Sequence, residues 1–451
     1  MQWLIRNQWP FWLGGVFVGL AEIIFYYHYD MFIVVTTGLA QMFAVTESKV
    51  FGVDWVGRVY QPGVYWFILA AVLGARLVVM GERESRGWVK YDGRMLALAF
   101  IGGFLFSFGT RIAAGCTTHH FMGGIPSMSI ASWVVLLTGV PFAFLAFKIS
   151  TSLGLGGYFR HQETRAIAEQ NEDDPNNKNP GFNRLYNHWK SPLRWLLNLL
   201  LLTSLLLPLY FGLKGGIAGS VDQIGWGEVA WVVVPGLLLG IGIAKTGFGT
   251  ECSVMAPESV FTGKDFYRRN GVPDCTYNMF RSMLPLQGFM VAIVMLNLFI
   301  LGSWLTDTGT IPNAAGEQGL YWGHILGGPL LGMGAVFMIG CEVRTYARLG
   351  LGYSTALAAL PGFYFGYLPY TLNKEKIDSI VFSEGLTDYI TLPEFASATF
   401  GWSEQGWAII YSLFLLSILI FSFATARRFL NISFKKLFVS NTDELVYMKN
   451  K

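Results

Sequence analysis

Charged side chains are scarce in this 451-residue chain, at 14% against 53% hydrophobic residues. A soluble domain carries about a quarter of its residues as Asp, Glu, Lys or Arg, so the composition excludes an ordinary soluble protein. Cysteine is also rare: the four thiols, Cys116, Cys252, Cys275 and Cys341, have neither the short paired spacing of a zinc ribbon nor the density of a disulfide scaffold. The net charge is only +3, and no basic run resembles a nucleic-acid surface, so nucleic acid is not an expected partner. A nucleotide-binding loop is missing, which leaves direct ATP hydrolysis without a site. The first apolar stretch is not followed by a small-residue cleavage pattern, so it reads as a retained helix and not as a removed signal peptide.

What the chain has in quantity is long apolar runs and a positive mean hydropathy. A bilayer core needs about 20 apolar residues per helix. Such windows centre on residues 11–27, 63–81, 95–116, 125–149, 193–213, 227–244, 282–303, 321–341, 352–371 and 406–426. The expected fold class is therefore an all-α polytopic membrane protein of about ten transmembrane helices plus short broken helices. Their length argues against a transmembrane β-barrel, whose strands are short and alternating.

Lys and Arg in the short loops set the orientation. Arg83, Arg86, Lys90 and Arg94 share one loop, and Arg160, Arg165, Lys178, Arg184 and Lys190 the next polar stretch. Both stretches are expected to be cytoplasmic. Continuing the alternation puts Lys264, Arg268, Arg269, Arg344, Arg348, Arg427, Arg428, Lys435 and Lys436 on the inner side. The acid-richer segments around Asp307, around Glu317 and from Asp378 to Glu394 come out on the opposite face. The expectation is a multi-pass inner (cytoplasmic) membrane protein with both termini inside.

A spacing recurs along the chain. Gly103, Ser107 and Gly109 end seven residues before Cys116, as Gly328, Gly332 and Gly334 end seven before Cys341. A third copy, Gly236, Gly240 and Gly242, ends ten before Cys252, and a weaker fourth, Gly15, Gly19 and Ala21, puts Met31 where Cys252 would stand. The paired copies are offset by about 221 residues (Gly15 to Gly236) and about 225 (Gly103 to Gly328). The loop charges make the copies run in opposite senses, which is the pattern of an inverted-topology repeat. The expected organisation is a first repeat half over 1–155, a cytoplasmic linker over 156–192, a linking helix and second half over 193–426, and a cytoplasmic tail over 427–451. Close helix packing is the competing explanation for every glycine, since small residues let helices approach.

Residues 102–120, GGFLFSFGTRIAAGCTTHH, put an arginine, a cysteine and two histidines into a run apolar enough for a bilayer. Ionisable residues in such runs are expensive and mark pathways or paired structure. Arg111, Lys245 and Arg344 lie within about seven residues of the repeated cysteines. Breaks such as GGIP after His120 are tolerated only where protein or a water-filled cavity satisfies the backbone. Exposed helix N-termini there can receive an anion. Cations, thiols and backbone donors together suit an anion with a hard charged end and a soft sulfur or selenium end.

The stretch GTRIAAGCTTHHFMGG resembles the GC signature of the YeeE/YedE family of sulfur-transport membrane proteins, usually G-x-R-x-A-G-G-C-T-S-G-H. TGFGTECSVMAPES and GGPLLGMGAVFMIGCEVRTYARLG resemble its later cysteine segments. The likeness covers most of residues 10–372. It implies a pseudo-symmetric fold, import of thiosulfate, and successive contact of the ion with Cys116, Cys252 and Cys341. A branch of the family associated with selenium supply implies selenium compounds as an alternative. Two positions depart: His119 stands where the family usually has glycine, and Met31 where some members have another cysteine.

Each candidate has a plainer reading. A buried cysteine is usually a packing residue, and Cys275, outside the repeat, is read that way. His119 and His120 could ligate a metal with Cys116, but sequence-adjacent histidines rarely point at one ion, so one of them, His120, is read as lining the break. Glu251 and Glu342 could pair with Lys245 and Arg344. Arg111 has no acidic neighbour in its own segment and is the stronger anion candidate. The expected substrate-binding set is Cys116, Cys252, Cys341, Arg111, Lys245, Arg344 and His120, with no catalytic residue, no cofactor and no resident metal. The expected partners are a small inorganic sulfur or selenium anion and the lipid bilayer. The alternative is a membrane sulfur or selenium transferase that forms a cysteine persulfide and passes it to a cytoplasmic sulfur-carrier protein. A third reading is a structural or regulatory subunit of a membrane complex.

Overall fold

A chain segment in hydrocarbon can satisfy its N–H and C=O groups only internally, so the apolar windows are bound to become helices. The computed structural model describes residues 9–81, 91–159, 226–306 and 319–447, with part of a helix between residues 196 and 210. Its first half contains α1 (Phe11–Tyr29), α2 (Val35–Thr46), α3 (Trp66–Gly81), α4 (Gly93–Ile112) and α5 (Ile130–Ser150). Next come α6 (Trp226–Thr246), α7 (Thr250–Met255), α8 (Glu258–Arg269), α9 (Asp274–Arg281) and α10 (Leu284–Leu305). The remainder is α11 (Trp322–Phe337), α12 (Glu342–Leu351), α13 (Ser354–Leu372), α14 (Lys374–Val381), α15 (Leu392–Phe400), α16 (Glu404–Leu430), α17 (Phe434–Val439) and α18 (Thr442–Tyr447). Among the described residues there is no strand, only isolated bridges joining Ser129 to Thr391 and Tyr321 to Gly385.

Nine of the ten apolar windows are helical, while the tenth, 193–213, and the linker beyond Phe159 lie largely outside the described residues. Seven described helices are long and apolar enough to cross a bilayer, counting α11 and α12 as one. The shortfall has local reasons. The apolar part of α3 is only Trp66–Val78, and α13 carries two prolines and three tyrosines.

Caps set several of the boundaries. The Asp92 carboxylate accepts from Met95 N at 2.8 Å and starts α4; Ser129 starts α5. Thr391 and Glu394 form a reciprocal capping box at α15, where two otherwise unpaired donors are satisfied. The tail packs back instead of hanging free: Thr442 Oγ1 donates to Trp9 O at 3.3 Å and Trp12 Nε1 to Phe438 O at 3.2 Å. Residues 9–12 and the last helices thus share one end of the bundle.

The helices of the two sequence halves interleave. α4 packs against α11 and α13, α5 against α11, α3 against α6, and α1 against α6 and α10. The motif glycines sit at these crossings. A methyl group at Gly102 would strike Gly334 O and Met338 N, and one at Gly334 would strike Phe106 N and Gly102 O. α4 and α11 therefore touch backbone to backbone, the approach that small residues permit. Gly236 and Gly240 meet Phe67 and Ala71 carbonyls in the same way, and Gly15 meets that of Gly288. Packing is thus a sufficient account of the glycine pattern. It also brings together the ends of the helices that carry the cysteines.

Candidate functional site

Two of the repeated segments break alike. α4 ends at Ile112 and α11 at Phe337; Ala114 (φ 58°) and Ile339 (φ 56°) then take left-handed conformations, each two residues before its cysteine. Neither is glycine, and for β-branched Ile339 this is a strained position that the surroundings must hold. The freed carbonyl three residues before each cysteine is caught by a side chain from beyond it. His120 Nε2 lies 2.9 Å from Ala113 O. Arg348 Nη1 donates to Met338 O at 3.1 Å and Ile339 O at 2.6 Å.

After Cys116 the chain winds into a π-turn, Thr118–Gly124, a form that recurs at functional sites. The backbone N–H groups of Thr118 and His119 lie near the Cys116 sulfur, and the Thr36 hydroxyl, whose own proton goes to Glu342, can only accept from the thiol. The sulfur therefore sits beside N–H donors. It lines a cavity of about 340 Å³ together with Thr36, Thr37, Tyr60, Arg111, His119 and Tyr370, and Asp378 and Phe382 of the acid-rich segment also reach it.

Arg111 is held by hydroxyls and rings. Its Nη1 donates to Tyr60 OH at 2.7 Å, its Nε to Thr110 Oγ1 at 3.1 Å, and the guanidinium lies over the rings of Tyr60 and Tyr367. Among the described residues no carboxylate forms an ion pair with it. The buried Glu342 feels its charge from a distance, but among the described residues no ion pair has to break for an anion to approach Arg111.

Behind the cavity, further hydrogen bonds run beside the other cysteines. Thr36 Oγ1 donates to Glu342 Oε2 at 2.6 Å and Tyr346 OH to Glu342 Oε1 at 2.6 Å. Glu342 follows Cys341, the buried residue at the start of α12. Two residues on, Arg344 Nη1 donates to Cys252 Sγ at 2.6 Å. The anticipated Glu342–Arg344 pair is thus replaced, because the first turn of α12 points the two side chains to different neighbours. The Glu251 side chain lies outside the described residues.

Of the seven residues singled out in the sequence, Cys116 and Arg111 line the cavity. Cys341 is next in sequence to Glu342, which accepts from Thr36 of the cavity wall, and Arg344, two residues past Glu342, bonds to Cys252. Lys245 lies elsewhere: its backbone carbonyl accepts from Trp9 N at 2.8 Å and its ammonium is 5.7 Å from the centre of the Trp9 ring. His120 has both nitrogens engaged, with Ala113 O and with Ser132 Oγ at 3.0 Å, and its neighbour His119 is the one on the cavity wall. Cys275 is buried in α9. No group of three or more metal-ligating side chains exists among the described residues.

The model of the sulphur transport family, YeeE/YedE, matches residues 1–140 and 269–445, more than half of the chain. The chain belongs to that family. A search of curated proteins finds no match. The matched segments of this sulphur transport protein include Arg111, Cys116, Cys341 and Arg344, while Lys245 and Cys252 fall between them. With its apolar helices, family membership makes it a multi-pass membrane protein for a sulfur-containing anion.

Sequence reasoning did not single out Thr36, Thr37, Tyr60 or Tyr370. Thr36 and Thr37 occupy the first turn of α2, the short helix after α1, as Cys252 occupies the start of α7 after α6. Met31, aligned with Cys252 by the glycine spacing, lies before α2. The one available signal was the fourth, weak copy of the glycine motif. Tyr60 lies in a loop without periodicity.

Proposed function

We propose that this sulphur transport protein imports thiosulfate, or a closely related inorganic sulfur oxyanion, across the cytoplasmic membrane with both termini inside. The ion enters the Arg111 cavity from the outer face and meets Cys116 first. It then passes along Cys341 and Cys252. The carrying observation is that Arg111, lacking an ion-pair partner among the described residues, and Cys116, near the N–H groups of Thr118 and His119, share one cavity wall. A hard oxyanion end suits the guanidinium and N–H groups, and a soft terminal sulfur suits the thiols. The reciprocal packing of the helices supports an inverted repeat, which places such sites at the interface of the halves. Carrying each negative charge inward against 100 mV costs about 2.3 kcal/mol.

The test is uptake of labelled thiosulfate into liposomes containing the purified protein, with sulfate and a selenium compound as competitors. Uptake above that of empty liposomes is expected, reduced at least tenfold by Cys116→Ser, Cys252→Ser or Cys341→Ser and unaffected by Cys275→Ser. Intact uptake in the first three variants would make their thiols packing residues.

A second reading rests on Arg344 Nη1 standing 2.6 Å from Cys252 Sγ. A cation in that position favours a thiolate, the nucleophilic form. The thiolate would attack the terminal sulfur of thiosulfate, forming a new S–S bond while the old one breaks and sulfite leaves with the electron pair. The persulfide would then go to a cytoplasmic carrier protein. A mass gain of one sulfur atom at Cys252, with sulfite release, supports this reading; unmodified Cys252 after turnover removes it.

A further inference from the structure

Glu22 lies in the middle of α1, 1% exposed, in a helix long and apolar enough to span the membrane. Its Oε2 accepts from Ile33 N at 3.3 Å, while Oε1 is buried without any hydrogen-bond partner. No cation pairs with it among the described residues. Glu342, the other acid of this region, differs: both its oxygens accept from hydroxyls. That arrangement suits a carboxylate, whereas the Glu22 site offers little to hold a charge. A buried carboxylate without partners is strongly disfavoured, and a membrane-embedded acid marks a proton or ion pathway.

The surroundings of Glu22 are nearly free of charge. α10, packed on α1, contributes no charged residue. α6 contributes Lys245, which sits at the other end of α1 beside Trp9; the side chain of Glu228, at its far end, lies outside the described residues. The π-turn contributes His119, beside Phe32, and His120, bonded to Ala113 and Ser132. Tyr65, just before α3, is a titratable neighbour from another element. Its hydroxyl is within electrostatic range of Glu22, Tyr29, Cys116 and Glu342.

We infer that Glu22 is a proton-binding site that couples proton entry to anion uptake through the segment Ile33–Thr37. The inference rests on the anion-uptake reading. Its driving logic is electrostatic: an inward-moving anion is opposed by an inside-negative potential, the chain has no nucleotide-binding loop, and an accompanying proton offsets charge. The structural link is short. Ile33 N bonds to Glu22, and the next residues, Val34, Thr36 and Thr37, line the cavity. Phe32 packs edge-on against His119, with ring centres 5.9 Å apart. An ionised Glu22 holds Ile33 by a charge-assisted hydrogen bond; protonation weakens that bond and frees the cavity wall to move with the loaded ion.

The test uses the full chain in liposomes, with labelled thiosulfate and the membrane potential clamped at zero. Two assays are compared. Exchange at equal pH and equal concentration on both sides needs binding and passage but no net proton movement. Accumulation driven by an imposed pH gradient needs coupling, and with one proton per ion it rises about tenfold for each unit of gradient. Wild type is expected to show both, with acidification of a trapped pH dye during entry. Glu22→Gln is expected to retain exchange within about twofold and lose the response to the gradient; Glu22→Asp, which keeps an acid, is expected to retain both. A gradient response in Glu22→Gln equal to wild type would overturn the assignment. Exchange by wild type with no gradient response and no dye signal would overturn proton coupling, and this outcome does not depend on the variant folding. No exchange by wild type would instead overturn the uptake reading on which the inference rests.

Discussion

Ala114 and Ile339 share one left-handed backbone conformation, each two residues ahead of a cysteine at the end of a membrane helix. The two breaks agree in backbone shape, yet His120 secures one and Arg348 the other. An imidazole donating through Nε2 to a carbonyl can do so while neutral, whereas a guanidinium is always charged. The breaks therefore differ in charge. Substitution at the first is expected to follow the backbone: Ala114→Gly should change stability by no more than about 1 kcal/mol, since relief of the left-handed conformation is offset by glycine's greater freedom when unfolded. Ala114→Val, which adds β-branching at positive φ, should lower the melting temperature in detergent clearly.

Arg111→Gln is expected to weaken thiosulfate binding about 10- to 100-fold, equivalent to the roughly 1.5–3 kcal/mol of a hydrogen bond to a charged group. The melting temperature should change little, because the hydrogen-bond and ring partners of Arg111 are hydroxyls and tyrosines, and Glu342, the buried acid that also feels its charge, keeps its hydrogen bonds from Thr36 and Tyr346. Calorimetric titration and thermal unfolding of the same sample check both halves of this expectation. Unchanged affinity would return Arg111 to a structural role.

Gly334→Ala should destabilise the bundle by about 1–3 kcal/mol, the usual cost of overpacking, because the new methyl meets backbone atoms of α4 that cannot rotate aside. Gly302→Ala provides the control. Nothing lies within 4 Å of its added carbon, and alanine is the better helix former, so its melting temperature should equal or exceed that of wild type.

Outside the spanning helices, Arg268 and Lys264 meet Asp274 at 2.8 and 3.1 Å at the start of α9. The hydrogen bond from Arg268 holds the Asp274 carboxyl below the usual carboxylate range. A depressed acid contributes stability above its unfolded value, about pH 3.9, and that contribution disappears as pH falls through the folded value. Wild type should therefore melt slightly higher than Asp274→Asn near pH 7, and the gap should close on acidification below about pH 4.

The helices were legible because a bilayer allows so few alternatives: apolar length alone located nine of the windows. Legibility failed where local chemistry decides. Thr36 and Thr37 left no mark in the sequence, because only the left-handed Asp30 (φ 50°) after α1 and the start of α2 at Val35 bring them to the cavity. Glu342 and Arg344 looked like a pair because they are close in sequence, yet the turn between them separates their side chains. His120 was read as lining the break and secures it through Ala113 O, whereas the place of His119 on the cavity wall depends on the π-turn, which the sequence does not announce. Cys116 and Arg111 were found because a thiol and a cation inside an apolar run leave a compositional mark, whereas Glu22 and Tyr60 stood in no recurring pattern.

The cavity of about 340 Å³ is large compared with the roughly 30 Å³ that each molecule occupies in liquid water. A small oxyanion can therefore come to rest beside Arg111 with several waters still around it. In the proposed uptake, dehydration is deferred to the wall where the N–H groups of Thr118 and His119 lie near the Cys116 sulfur. Discrimination between ions then depends on how well those fixed donors replace a hydration shell. The wide mouth contributes little to it, and ions of similar size but different hydration energy are the ones this geometry can tell apart.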